Sequence, residues 1–265
     1  MLSVEKQMLF LMSRTGKMNI QELLRIYEKR GYAPTYIRSS LSRLKKEGYV
    51  ISHARSVYQI TDLGRSFLAS INSKPLRVRE AWDGRWHVVM AGVPEAQRRK
   101  RDALRAGLLQ FGFGMLYNGV YINPWSNIDD VNRLVDSLGL SGCVTFVSGM
   151  MEIGSITPQL AEKIWQLEKV EALYRDKWQW YQTEFEPLLQ RAGGQEDSPL
   201  ELFLLYLSLG EAVSDLFLLD PMLPEELLTP VWEEHHDKLE KMIEAYRQLA
   251  GRIPGDSLYA PFVVD

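Results

Sequence analysis

The sequence predicts an α+β multidomain fold: helices and a short hairpin first, alternating strands and helices in the middle, helices alone thereafter. Three observations carry that reading. The hydrophobic spacing changes character near residue 75 and again near residue 157. The net charge of the chain is −3, yet through Arg77 fourteen Lys and Arg stand against five Asp and Glu, a net of +9 that leaves −12 for the remainder. Finally, 265 residues that are 46% hydrophobic and 25% charged suffice for more than one core. The expected segments are 1–72, 80–152 and 157–265.

Within the basic segment, Val4, Met8 and Leu11 form one stripe of a helix from Ser3 to Met12. A second helix opens at the cap Asn19, carries Ile20, Leu23, Leu24 and Tyr27 at helical spacing, and stops at Gly31. A third runs from Pro34, a residue favoured in a first turn, to Glu47 before Gly48. Tyr49-Val50-Ile51 and Val57-Tyr58-Gln59-Ile60 read as strands joined by a turn at His53-Ala54-Arg55-Ser56, and Thr61-Asp62-Leu63-Gly64 starts a short helix to Ser70. This order is that of a winged helix-turn-helix with the hairpin as its wing.

The third helix places Ile37, Leu41 and Leu44 in one narrow arc. Thr35, Arg38, Ser39, Ser42 and Lys46 fall opposite, flanked by Tyr36, Arg43 and Lys45, and Glu47 at the end is its one acid. A major groove selects such a face: Arg and Lys for guanine edges and phosphates, small hydroxyls for phosphates or either base. With His53 and Arg55 at the wing tip, these ten residues are the expected contacts to double-stranded DNA. A basic segment on an acidic body fits a chain of which one part touches a polyanion.

Ser70 to Pro75 is polar and proline-stopped, so a linker is expected there. Beyond it come a strand at Trp86–Val93, a helix at Glu95–Phe111, strand sequence at Gly114–Ile122 around Asn118-Gly119, a helix at Asn127–Leu138 and a strand from Cys143 to Ser148. That alternation predicts a ferredoxin-like α+β sandwich. Cys143, the single cysteine, excludes an internal disulfide and is expected to be a buried structural thiol. The run Arg98, Arg99, Lys100, Arg101 and Arg105 fits a second DNA contact, an anion site or a solvated face paired with Glu95 and Asp102.

These residues also carry a resemblance. Trp82-Asp83-Gly84-Arg85-Trp86, Val93-Pro94-Glu95, Arg98, Arg101-Asp102, Leu104-Arg105, Leu108, Gly112-Phe113-Gly114, Leu116, Gly119-Val120-Tyr121-Ile122 and Pro124 occur in order, followed by Asp220-Pro221-Met222-Leu223-Pro224, Leu227, Leu228, Pro230 and Trp232. The ordered set resembles the PaaX-type family of phenylacetic acid catabolism transcriptional repressors over essentially the whole chain. The resemblance implies repression of a catabolic operon relieved by an aromatic acyl-CoA such as phenylacetyl-CoA. It also implies a middle domain similar to a small CRISPR-adaptation nuclease fold, a likeness of fold that does not imply nuclease activity. After Trp232 the chain departs from the family's pattern.

From Thr157 the spacing is helical through Ile164, Leu167, Val170 and Leu173, then Trp178, Tyr181, Phe185 and Leu188, with an interruption at Gly193-Gly194. Pro199–Leu219 reads as a buried central helix and Val231–Leu249 as an amphipathic one. His235 and His236, beside Glu233 and Glu234, point about 100° apart on a helix and do not form a metal-ligand spacing. No metal or cofactor is expected. A metal-dependent nuclease wants a carboxylate at the first strand of the middle domain, and Trp86–Val93 has none. The alternatives to a regulator are that nuclease and a non-specific nucleic-acid scaffold. Without an unbroken apolar run of roughly 18 to 20 residues or a signal-peptide pattern, a cytoplasmic homodimer on an inverted-repeat operator is expected.

Overall fold

The computed structural model describes residues 3–72, 77, 80–192 and 198–263. Its elements run α1 (Ser3–Thr15), β1 (Lys17–Asn19), α2 (Ile20–Lys29), α3 (Pro34–Lys46), β2 (Val50–Ala54), β3 (Val57–Ile60) and α4 (Asp62–Asn72). Then follow β4 (Trp86–Ala91), α5 (Arg98–Gln110), β5 (Gly114–Tyr117), β6 (Val120–Asn123), α6 (Ile128–Leu138) and β7 (Val144–Gly149). The remaining helices are α7 (Pro158–Trp165), α8 (Leu167–Trp180), α9 (Glu186–Arg191), α10 (Pro199–Leu219) and α11 (Val231–Arg252). The fold is mixed α/β, with a small central sheet domain and a helical C-terminal region.

Two compact units divide the chain. The first comprises Met1–Ala69, Arg175–Asp215 and Asp237–Asp265; the second comprises Ser70–Tyr174 and Leu216–His236. In the first unit Val4, Met8 and Leu11 of α1, Leu23 and Tyr27 of α2, and Ile37, Leu41 and Leu44 of α3 are buried together with Val50 and Ile60 of the sheet. The strand order is β1-β3-β2, antiparallel throughout. Strand β1 has only three residues, too few for an alternating pattern to announce it.

Helix α2 shows how local chemistry sets its ends. Asn19 caps it, its side-chain oxygen accepting from the Gln21 N–H at 2.9 Å, while Glu22 accepts from the Asn19 N–H at 2.9 Å. At the other end the Gly31 N–H donates to the Glu28 carbonyl and the Tyr32 N–H to the Tyr27 carbonyl, both at 3.0 Å. Those two bonds are a Schellman turn, completed by an edge-on contact of the Tyr27 and Tyr32 rings. The turn needs a left-handed residue, and Gly31 supplies it with φ of +82°.

Helix α10 is long and apolar enough to cross a membrane by length and composition. Leu202, Phe203, Tyr206, Leu209 and Leu216 are nevertheless buried, and two of its acids are paired internally: Glu211 with Arg30 at 2.6 Å and Asp215 with Lys177 at 2.8 Å. Phe203 stacks on Tyr259, and Tyr206 on Tyr246 with ring centroids 4.3 Å apart.

In the second unit the elements follow the order βαββαβ, and the sheet runs β5-β6-β4-β7 with every neighbouring pair antiparallel. Val89, Leu104, Leu108, Phe113, Tyr121, Val131 and Val135 form its core, against which Cys143 packs only partly buried.

Several boundaries differ from the sequence reading. Ser70–Asn72 continues α4 rather than opening a linker, and residues 73–75 of that linker lie outside the described residues, as do Gly193 and Gly194. The helical run after Thr157 is broken at Gln166, which adopts φ of +53°, and widens to a π-turn at Tyr181–Phe185. The first break has no Gly or Pro beside it, whereas the π-turn is followed at once by Pro187, which has no N–H to continue the ladder.

Because no atom stands near the position of a Cβ on Gly31, a Gly31→Ala change costs conformational strain alone. The expected loss is about 1 to 2 kcal/mol of stability, read by urea denaturation; an unchanged midpoint would show that the turn tolerates the side chain.

Candidate nucleic-acid interface

The ten residues expected at DNA belong to α3 and to the β2–β3 hairpin. On α3, burial of Ile37, Leu41 and Leu44 leaves Thr35, Arg38, Ser39, Ser42, Lys45 and Lys46 exposed along the opposite side. No acid interrupts this face before Glu47. The first turn has no side-chain cap, since Ala33 stands at the capping position and Pro34 follows it. Arg43, Lys45 and Lys46 occupy the last turn, where cations favour the helix dipole.

Placement separates these side chains into two kinds. Arg38 and Lys46 have no acidic partner among the described residues, so their charges face solvent. Lys45 donates to the Ser52 hydroxyl on β2 at 3.1 Å, tying the helix to the hairpin. Arg43 is committed inward: its Nε donates to Glu5 Oε1 at 2.5 Å and its Nη2 to the buried Ser40 hydroxyl at 3.0 Å. The Glu5 side chain is 4% exposed, so Arg43 neutralises a buried carboxylate of α1. Tyr36 is half-buried, with its ring stacked on Tyr32 and the Arg43 guanidinium 6.0 Å above it.

The hairpin is tighter than the sequence predicts. Ser52 pairs with Tyr58 and Ala54 with Val57, which makes His53 the extra residue of a bulge inside β2 rather than part of the turn. Arg55 and Ser56 form the turn, and Ser56 takes φ of +63°. Its carbonyl accepts the Ile20 N–H at 2.8 Å, so the start of α2 anchors the hairpin tip. Both His53 and Arg55 are exposed.

Beneath α3 lies a polar network that the hydrophobic pattern does not reveal. Arg30, whose side chain is 9% exposed, donates to Glu211 Oε2 at 2.6 Å and to Gln7 Oε1 at 2.5 Å. Gln7 in turn donates to the Leu207 carbonyl at 2.8 Å. Burial pushes the Tyr27 hydroxyl well above its ordinary range, and burial with the nearby Glu211 charge raises Tyr32.

Family models match three consecutive stretches: PaaX-like protein over residues 8–64, the PaaX protein central Cas2-like domain over 79–161, and the PaaX-like protein C-terminal domain over 165–253. The chain belongs to the PaaX family. It is 28% identical over 245 residues to the transcriptional repressor PaaX of Escherichia coli (strain K12), a match covering 89% of this chain and 76% of that protein. A solved structure of an uncharacterized Mycobacterium tuberculosis protein is 23% identical, covers 87% of this chain and 91% of that one, and has a TM-score of 0.44.

Many of the residues that mark this PaaX-family chain are framework of the second unit. Asp220 is buried and accepts the Tyr174 hydroxyl and the Met222 N–H, both at 2.7 Å. The Met222 carbonyl accepts the Trp125 indole N–H at 2.5 Å. Gly114 lies flat against Ile164 and Trp165, where a Cβ would stand 2.3 Å from Ile164. His235 and His236 are buried beside Trp232, with His235 stacked on Tyr174. Of the α5 cluster, Arg101 pairs with Glu95 at 2.6 Å and Arg98 approaches Asp102 at 3.9 Å, while Arg99, Lys100 and Arg105 are exposed.

Two outcomes follow from these contacts. Arg43→Ala strips the cation from a buried carboxylate and is expected to cost about 3 kcal/mol, whereas exposed Arg38→Ala stays within about 0.5 kcal/mol of the parent in thermal unfolding. Equal melting behaviour of the two variants would refute the distinction. Tyr174→Phe removes a donor from the Asp220 carboxylate and is expected to lose about 1.5 to 3 kcal/mol in denaturant titration, against near-neutrality if the bond contributes nothing.

Proposed function

We propose that this chain is a transcriptional repressor of a phenylacetate-type catabolic operon. It reads operator DNA through α3 of a winged helix-turn-helix and dissociates when an aromatic acyl-CoA such as phenylacetyl-CoA binds. The observation that carries this reading is the outward side of α3. Arg38, Ser39, Ser42 and Lys46 are exposed with no acid among them, while the opposite side is fully engaged in the core. Helices of this kind descend into a major groove. His53 and Arg55 suit the neighbouring backbone or minor groove. Membership of the PaaX family, with a relative named a transcriptional repressor, supports the same function and a regulator rather than an enzyme.

In this reading 1–72 is the DNA-binding domain, 80–152 a ferredoxin-like domain and 157–265 a helical domain for effector response and dimerisation. The two-fold symmetry of an inverted-repeat operator calls for a cytoplasmic homodimer.

Competition binding with genomic footprints tests the proposal. A specific site that survives excess random DNA is expected, with Arg38→Ala weakening it by about 1 to 3 kcal/mol and Lys46→Ala lowering the salt slope by about one ion. Equal binding to every sequence, or operator affinity indifferent to Arg38, would overturn it.

A further inference from the structure

Beside the DNA-facing helix, entirely within the first unit, lies a cavity of about 520 Å³. That volume falls in the range of small-molecule sites. Leu204 and Leu205 of α10 and Leu188 of α9 give it an apolar wall, and Leu188 is 48% exposed, a large apolar side chain left in contact with water. Lys29 and Arg191 stand at the same cavity. Neither has an acidic partner among the described residues. The third base, Arg30, is already neutralised by Glu211, and the lining acid Glu201 accepts the Ser198 N–H at 3.3 Å. An apolar wall beside Lys29 and Arg191, neither of which has an acidic partner among the described residues, is complementary to an apolar body bearing a carboxylate or phosphate.

Tyr32 also lines the cavity. Its ring stacks on Tyr36 in the first turn of α3, centroids 5.7 Å apart and planes 17° from parallel, and the Arg43 guanidinium stands over Tyr36. A ligand pressing on Tyr32 therefore reaches α3 through one ring contact. The Schellman turn at Gly31 fixes where Tyr32 begins, and Tyr27 meets the same ring edge-on.

The geometry points to this cavity as the binding site for an apolar anion, with the Tyr32–Tyr36 stack carrying occupancy to α3. The second half rests on α3 being the DNA-reading helix; the first half does not. Calorimetry on the full chain with phenylacetate, phenylacetyl-CoA and free CoA as probes measures the site without DNA. Phenylacetate or phenylacetyl-CoA is expected to bind, CoA alone at least tenfold more weakly than its thioester, and the Lys29→Gln/Arg191→Gln double variant at least tenfold more weakly than the parent at an unchanged melting temperature. If no probe binds, if the double variant binds like the parent, or if free CoA equals the thioester, the site is overturned while the DNA reading stands. Operator release then tests the stack from its other side, since Tyr36 does not line the cavity: Tyr36→Leu is expected to bind the probe as the parent does yet lose at least tenfold of the ligand-induced release, measured against its own unliganded operator affinity, and Tyr36→Phe to behave as the parent. Full release from the Tyr36→Leu variant overturns the transmission. A protein that binds probe at the cavity and no DNA would instead defeat the repressor reading alone.

Discussion

The placement of α3 depends on a charge that is almost out of water. Arg30 ends α2, and its guanidinium is held between Glu211 of α10 and Gln7 of α1. A cation so enclosed is tolerated only if its donors are met, and meeting them fixes three helices together. Because Arg30 occupies the capping position just before Gly31, the same contact sets where the turn to Tyr32 begins. Tyr32 then meets Tyr36, and α3 starts from a determined point. In this sense the C-terminal helix α10 is part of the scaffold of the N-terminal segment.

Helix α3 must satisfy two solvents, and its charges divide accordingly. Arg43 has a half-exposed side chain and a buried carboxylate partner, so it serves packing through charge. Arg38, five residues before it, and Lys46, three after it, are exposed instead. A helix that commits Arg43 to its own core and leaves Arg38 and Lys46 in water keeps its orientation while presenting a cationic surface. That division is what a groove-reading helix requires, since phosphates position and base edges specify.

The second unit is framed by polar bonds as much as by its apolar core. Asp220 collects the Tyr174 hydroxyl and the Met222 N–H, and Met222 passes its carbonyl to Trp125. Met222 itself sits at φ of +54°, a strained setting for a side-chain-bearing residue that these bonds hold in place. The motif Asp220 to Pro224, prominent as a family mark, is thus accounted for here as framework. Prominence in a family pattern and contact with a ligand are separate properties.

Local chemistry made much of this chain legible from its residues. The Asn19 cap, the stop at Gly31, the stripe of Ile37, Leu41 and Leu44, and the limits of Pro199–Leu219 are all consequences of neighbours within a few positions, and helical spacing reports them directly. The opposite side of α3 followed from the same angle arithmetic. What tertiary structure alone decided lies at long sequence separation: the pairing of Arg43 with Glu5, thirty-eight residues away; of Arg30 with Glu211, one hundred and eighty-one away; and the three-residue strand β1, which exists because β3 offers it an edge. A periodicity can say which face of a helix is wet. It cannot say which charge on that face will find a partner, because the partner is brought by folding rather than by the chain's own neighbourhood.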